Sequence, residues 1–119
     1  MLWMLSVVYA ESLLFTEERS TAFEDVVASV DERWVAFGTG STGQIHLLDV
    51  DSWNVEVIDV CSGSFGALTF DSAGYLYAGC EGKGVLQISP EKMTTEAEIP
   101  VDAAGFYFAS MYNDNLYVL

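Results

Sequence analysis

With 119 residues the chain has enough length for one ordinary domain with a real core. It is 51% hydrophobic with a mean hydropathy of +0.29, the surplus expected of sheets that are covered on both faces. Its 18 acidic and only 4 basic side chains leave a formal charge of -14, which repels phosphates and anionic lipid headgroups and so argues against nucleic-acid binding and anionic membrane surfaces.

The apolar opening, residues 1–10, lacks a basic n-region and falls well short of the roughly 20 apolar residues of a helical membrane span, so it reads as strand. Strands are expected at 3–8 and 12–16. A further strand covers 26–30, followed by an acidic turn at 31–33 and a strand at 34–38. The glycine-rich turn 39–43 leads into a strand at 44–49. Asp51-Ser52 turns the chain into an outer strand at 55–60, with Val55, Val57 and Cys61 on one face and Glu56 and Ile58 on the other. The pattern then returns: strand 66–70, turn Asp71-Ser72-Ala73-Gly74, strand 75–80, turn 81–84, strand 85–89, turn 90–94 and strand 95–100. Strands at 105–110 and 115–119 end the series. Asp, Ser, Asn and Gly stand at the reversals, with β-branched and aromatic residues between them.

The return has a fixed period. Val35, Leu76 and Leu116 are spaced by 41 and 40 residues, and Met4, Ile45 and Leu86 by 41. About four short strands in roughly 40–45 residues is the signature of a β-propeller blade. The expected fold is therefore all-β, a β-propeller segment of two full four-stranded antiparallel blades, 24–64 and 65–104, flanked by half-blades at 1–23 and 105–119. Rings close with about four to eight blades. The expectation is a segment of a longer propeller; alternatively, several chains pair their half-blades into one ring. Exposed blade edges would then favour self-association. Val27, Val35, Ile45, Leu68, Phe70, Leu76, Leu86 and Ile88 are the expected core.

The run Ala67-Leu68-Thr69-Phe70-Asp71-Ser72-Ala73-Gly74-Tyr75-Leu76-Tyr77-Ala78-Gly79 resembles the strand–turn–strand core of prokaryotic propeller repeats. Gly84-Val85-Leu86-Gln87-Ile88-Ser89-Pro90 is similar to their third strand. NHL, YVTN, quinoprotein-like and gluconolactonase-like blades share this pattern. WD-type repeats share its length, but Leu48-Asp49 and Ser89-Pro90 stand where the Trp-Asp end belongs. The resemblance implies a fold and carries no functional residue over, because propellers host enzymes, scaffolds and lectins alike. Gluconolactonase-like members hold a metal with Glu, Asn and Asp at the mouth of a ring, and too little of a ring is present to map those positions onto this chain. The tryptophan docking motifs of quinone-binding blades do not recur.

Other motifs resolve toward structure. Gly38-Thr39-Gly40-Ser41-Thr42-Gly43 spells a dinucleotide fingerprint, with Asp59 at a suggestive distance, but Gln44-Ile45-His46-Leu47-Leu48-Asp49-Val50 is strand where a helix is required. Asp49-Val50-Asp51-Ser52-Trp53-Asn54 begins like a calcium loop, yet Trp53 replaces a ligand, Asn54 the glycine and Val60 the bidentate glutamate. His46, the single histidine, has no partner at zinc spacing. Trp34, Tyr75, Tyr77, Tyr107, Tyr112 and Tyr117 are expected to pack between blades. Cys61 and Cys80 are too few for a disulfide scaffold. Placing Phe70 opposite Tyr75 brings Phe65 near Cys80, so a bridge to Cys61 is reachable but not aligned, and free thiols are expected.

No catalytic, cofactor-binding or metal-binding residue and no cofactor is assigned. The expected function is a non-enzymatic propeller scaffold for a protein or small ligand. The alternatives are a lactonase-like or quinoprotein-like enzyme whose site lies mostly outside this chain, or an oligomeric lectin-like ring. Compartment stays open. Connections 17–24, 39–43, 61–64, 80–84 and 102–104 would gather on one face of such a ring, the expected location for a site.

Overall fold

The computed structural model describes residues 25–39, 43–61, 65–80, 83–101 and 109–118. The described residues form ten strands, β1 (Asp25–Ala28), β2 (Trp34–Thr39), β3 (Gln44–Asp49), β4 (Asn54–Asp59), β5 (Phe65–Phe70), β6 (Leu76–Cys80), β7 (Gly84–Ser89), β8 (Thr94–Ile99), β9 (Ala109–Tyr112) and β10 (Asn115–Val118). Consecutive strands pair antiparallel into two four-stranded sheets, β1-β2-β3-β4 and β5-β6-β7-β8, and one two-stranded sheet, β9-β10. No helix occurs among the described residues. Strands 3–8 and 12–16 lie outside them.

The turns repeat as the strands do. The β3–β4 and β7–β8 connections each end on a residue with positive φ, Trp53 at 61° and Met93 at 58°. The β1–β2 and β5–β6 turns contain Glu32 at 63° and Gly74 at 93°, with Glu32 N donating to the Ser29 carbonyl and Gly74 N to that of Asp71. A left-handed residue at these points reverses the chain within a few residues. Between β9 and β10 the turn is Asn113-Asp114, both left-handed, so Tyr112 pairs directly with Asn115. β9 runs to Tyr112, two residues beyond the expected end at 110, and 105–108 of the expected strand lie outside the described residues.

Register decides what each face buries. In the first sheet Val27, Ala36 and Leu47 pair in series, as do Gly38, Ile45 and Ile58, and this face carries Trp34. Phe37, His46 and Val57 pair on the opposite face, with Val35 and Leu48 beside them. In the second sheet Leu68, Ala78 and Leu86 share a face with Phe70, Leu76 and Ile88. One buried cluster joins the Ala36, Ile45 and Leu47 face of the first sheet to the Leu68, Phe70, Leu76, Ala78, Leu86 and Ile88 face of the second. β1 lies against β5, and β5 against β9. Val35 pairs with Leu48 as Leu76 pairs with Ile88, so these two second-strand residues are equivalent. Because Val35 points away from the junction and Leu76 into it, the sheets stack head to tail. That is the heterologous arrangement a ring requires.

The same register corrects the expected equivalence of Ile45 with Leu86. Third strands begin at Gln44 and Gly84, so the counterpart of Ile45 is Val85, and both are fully buried. The connection from β6 to β7 is one residue shorter than that from β2 to β3, which cuts the spacing from 41 to 40. A slip of one residue moves a side chain to the other face. Of the expected core, Ile45, Leu68, Phe70, Leu76, Leu86 and Ile88 are buried, whereas Val27 and Val35 are half-buried. Val27 belongs to β1, the short innermost strand, and packs at the margin of the cluster; Val35 lies on the face turned from it. Val55 and Val57 do share a face, and both are exposed on the outer strand.

Cys61 and Cys80 form a disulfide with their Cα atoms 5.5 Å apart, so the expectation of free thiols is overturned. After β4 the amides of Val60 and Cys61 both donate to the Gly43 carbonyl, at 3.0 and 3.2 Å, which folds the exit of the first sheet over the core. Phe70 pairs with Leu76 rather than Tyr75, and an irregularity between Phe65 and Leu68 absorbs the extra residue, so Phe65 still meets Cys80. Both half-cystines are buried in the cluster.

Replacing Leu76, which is fully buried, by Ala should cost about 2–5 kcal/mol in urea unfolding, and a loss below about 0.5 kcal/mol would show that its burial contributes nothing. Thiol titration in denaturant should find no free thiol before reduction and two after it. With 19 residues of separation, loss of the bridge in a Cys61→Ala/Cys80→Ala variant should lower stability by about 3 kcal/mol.

Candidate functional site

Hairpin turns and strand-to-strand connections collect at opposite ends of the sheets. At the connection end, where the sequence locates a site, residues 40–42, 62–64, 81–82 and 102–108 lie outside the described residues. What is described there is closely packed. Gly84 has φ 115°, and a Cβ on it would collide with the Ile99 carbonyl oxygen.

At the turn end the turns 29–33, 50–53, 71–75 and 90–93 are among the described residues, and the first and third of them are built by hydroxyl and carboxylate side chains. The Ser29 hydroxyl donates to Asp31 Oδ1 at 2.6 Å and accepts from Trp34 N at 2.9 Å, while Arg33 N donates to the same Asp31 oxygen at 3.1 Å. These bonds, the Ser29 hydroxyl first, hold the Asp31 carboxyl below its ordinary pKa. The turn thereby presents Arg33 and Trp34. Arg33 Nη2 donates to Asp49 Oδ2 at 3.4 Å, its Nε lies 3.7 Å from Asp51 Oδ2, and the guanidinium sits 5.0 Å from the Trp34 ring centroid. The Asp49 hydrogen bond and charge raise the Arg33 pKa. Desolvation pushes Asp49 up, but the bonds from Arg33 and the Asp51 amide outweigh it and bring the carboxyl down. Asp49 and Arg33 are both charged at neutral pH.

In the second sheet Asp71 has the corresponding duty. Its Oδ1 accepts from Ala73 N and Tyr75 N at 3.0 and 2.9 Å. Its Oδ2 accepts from the Tyr77 hydroxyl at 2.9 Å, and that hydroxyl accepts from Gln87 Nε2 at 2.9 Å. Ser72 N donates to Asp114 Oδ1 at 3.2 Å, tying the β9–β10 turn to this one. Burial, then the Asp71 carboxylate, raise the Tyr77 pKa.

Between the two sheets the turns leave a cleft of about 240 Å³ walled by Asp31, Arg33 and Trp34 on one side and by Gly74, Tyr75, Glu91 and Lys92 on the other. A second hollow of about 190 Å³ adjoins it through Trp34, Pro90 and Glu91 and reaches Asp49, Asn54 and Glu56. Among the described residues no group of three or more His, Cys, Asp or Glu is placed to hold a metal ion. Charged and aromatic surface around a small hollow suits it to binding.

The sequence motifs fall elsewhere or into structural duties. Gly43, with φ 70°, leads into β3, and Asp59 accepts from Gln44 Nε2 at 3.0 Å. In the calcium-like stretch Asp49 Oδ1 accepts from Asp51 N at 3.0 Å, and Trp53 N closes the turn on the Asp49 carbonyl at 2.7 Å. His46 is buried and stacks on Phe37 at 5.2 Å with 14° between the rings. Of the aromatics expected between blades, Tyr77 is buried and Trp34 packs on the core, but Tyr75, Tyr112 and Tyr117 are exposed at 37%, 68% and 55%. Tyr75 is turned out at the strand entrance, and Tyr112 and Tyr117 belong to the two-stranded sheet. Tyr107 lies outside the described residues. The cleft itself was missed in the sequence, whose only pointer to it is Arg33 beside Trp34 in a chain with few cations.

No protein family and no curated protein matches the sequence. Among solved structures the chain is similar to the β-propeller domain of Cps50 (Swd1) from Myceliophteria thermophila, with a TM-score of 0.65 and 20% identity over 82% of this chain. The two stacked sheets have the fold of β-propeller blades. The chain spans 31% of the length of that domain, and at this identity the likeness is one of fold.

Because the neutral Tyr77 phenol is the form favoured in the fold, its contribution is fully present below the ordinary tyrosine value of 10.0 and is lost as pH rises through the raised folded value. Tyr77→Phe should cost about 1 kcal/mol near neutral pH. It should also shrink the alkaline loss of stability, as read from urea midpoints at both pH values; an unchanged alkaline slope would place that titration elsewhere.

Proposed function

We propose that the chain contributes blades to a non-enzymatic β-propeller scaffold that binds another protein or a ligand, with repeats of the YVTN, NHL, quinoprotein-like or WD-like kind. The supporting observation is the use made of the carboxylates at the described end. Asp31 Oδ1 and both oxygens of Asp49 and of Asp71 accept from turn amides, a hydroxyl or Arg33, which are structural duties. Closing a ring takes about four or more blades, so the working ring includes blades beyond the two four-stranded sheets. A buried disulfide suits an oxidising compartment.

The full reading frame of the encoding gene should carry further repeats with a period near 40 residues. An added Glu, Asn and Asp metal cluster at the ring mouth would overturn the non-enzymatic reading. If the ring instead closes between copies, the 119-residue chain should sediment at micromolar concentration as a closed oligomer, and a well-folded monomer would exclude that route.

A further inference from the structure

We propose that the cleft between the two sheets at the turn end is a docking site for a lysine or arginine side chain on a basic segment of a protein partner. The proposal rests on the scaffold reading and names the chemistry of what the scaffold holds.

Size comes first. Hollows of about 240 and 190 Å³ are below the roughly 300–1,000 Å³ typical of sites for drug-sized ligands, and they suit one anchoring side chain with a neighbour. The walls are the second consideration. Trp34, Tyr75 and Pro90 supply flat apolar surface for the stem of a long side chain. A Cβ on Gly74 would meet nothing within 4 Å, so that wall stands open.

Charge selects the sign of the ligand. Asp31 and Glu91 line the larger hollow, and Asp49, Glu56 and Glu91 the smaller. Of the two cations present, Arg33 is engaged by Asp49 and Asp51, and Lys92 lies 3.8 Å from Glu96 and extends into solvent. An anion would therefore meet a carboxylate rim on a chain of formal charge -14, whereas a cation is drawn in. Arg33 shows the mode of contact, its guanidinium resting over Trp34. A bare metal ion fits less well, since no three acidic or histidine groups converge there.

The test uses the full-length protein and a short dye-labelled peptide of Lys, Arg, Gly and Ser, followed by fluorescence anisotropy. Saturable binding is expected, and a counterpart peptide with Glu in place of Lys and Arg should not bind. Glu91→Lys, on an exposed turn in the cleft, should weaken binding by about tenfold or more. Glu98→Lys makes the same change of charge near the far end of β8 and should weaken it by less than about twofold. Equal weakening by both variants would mean diffuse attraction to an acidic surface and would overturn the site. Absence of saturable binding, or equal binding of the acidic peptide, would overturn it as well. Each of those failures leaves the scaffold reading intact, because that reading is tested by the reading frame and by the oligomeric state.

Discussion

Burial of one sheet's face against a different face of the next sheet is the constraint from which most of this structure follows. The face bearing Ala36, Ile45 and Leu47 covers the one bearing Leu68, Leu76, Ala78 and Ile88, and the two sets are not equivalent within their sheets. Each sheet therefore needs apolar residues on both faces, and the third strands read QIHLLD and GVLQIS, buried along most of their length. Charge is excluded from those positions. It moves to the turns and to the outer strands β4 and β8, whose NVEVID and TTEAEI are almost wholly exposed. A high apolar content and a large negative charge are then two sides of one arrangement.

The two ends of the stack are held by different means. At the connection end the Cys61–Cys80 bridge ties the exit of the first sheet to β6, and Gly84 passes too close to the Ile99 carbonyl for any side chain. At the turn end there is no covalent link. Asp31 and Asp71 gather the amides of their own turns, and Arg33 reaches across to Asp49 and Asp51. Exposed ion pairs of that kind contribute little stability individually. What they supply is position, holding Trp34 and its neighbours at the lip of the cleft.

Strand order and turn chemistry were legible because a blade signals itself locally. β3 coincides with the expected strand 44–49, and the remaining strands between 25 and 100 differ by one or two residues at their ends. The failures are failures of register. Spacing alone equated Ile45 with Leu86, since a connection shortened by one residue leaves the apolar pattern looking continuous when both faces are buried. The disulfide was obscured by similar means: its partners are aligned by the Val60 and Cys61 amides on Gly43 and by an irregular β5, neither of which has a sequence signature. The cleft was illegible for another reason. It is made by turns from two sheets, and only the stacking brings Trp34 to Glu91 and Lys92.

Comparison of the two turns explains why this seam has its own character. Ser29 N bonds the Trp34 carbonyl as Asp71 N bonds that of Tyr75, and left-handed Glu32 corresponds to left-handed Gly74. Counting from those matched points, the first turn is one residue longer, and the additional residue is Arg33. A blade does not need it, because the second blade closes the same hairpin without it. Trp34 and Tyr75 hold matching places just before Val35 and Leu76, so both four-stranded blades put an aromatic there, whereas the corresponding residue before Leu116 is Asn115. The cation laid over Trp34 is particular to the first blade. Asp49 and Asp51 answer that cation, while Pro90-Glu91-Lys92 occupies the turn that corresponds to Val50-Asp51-Ser52 in the first sheet. Stacking of the two sheets forms the hollow, and departures from the repeat such as Arg33 and Lys92 supply charges that line it. Those departures give the seam between these two sheets its own charge pattern.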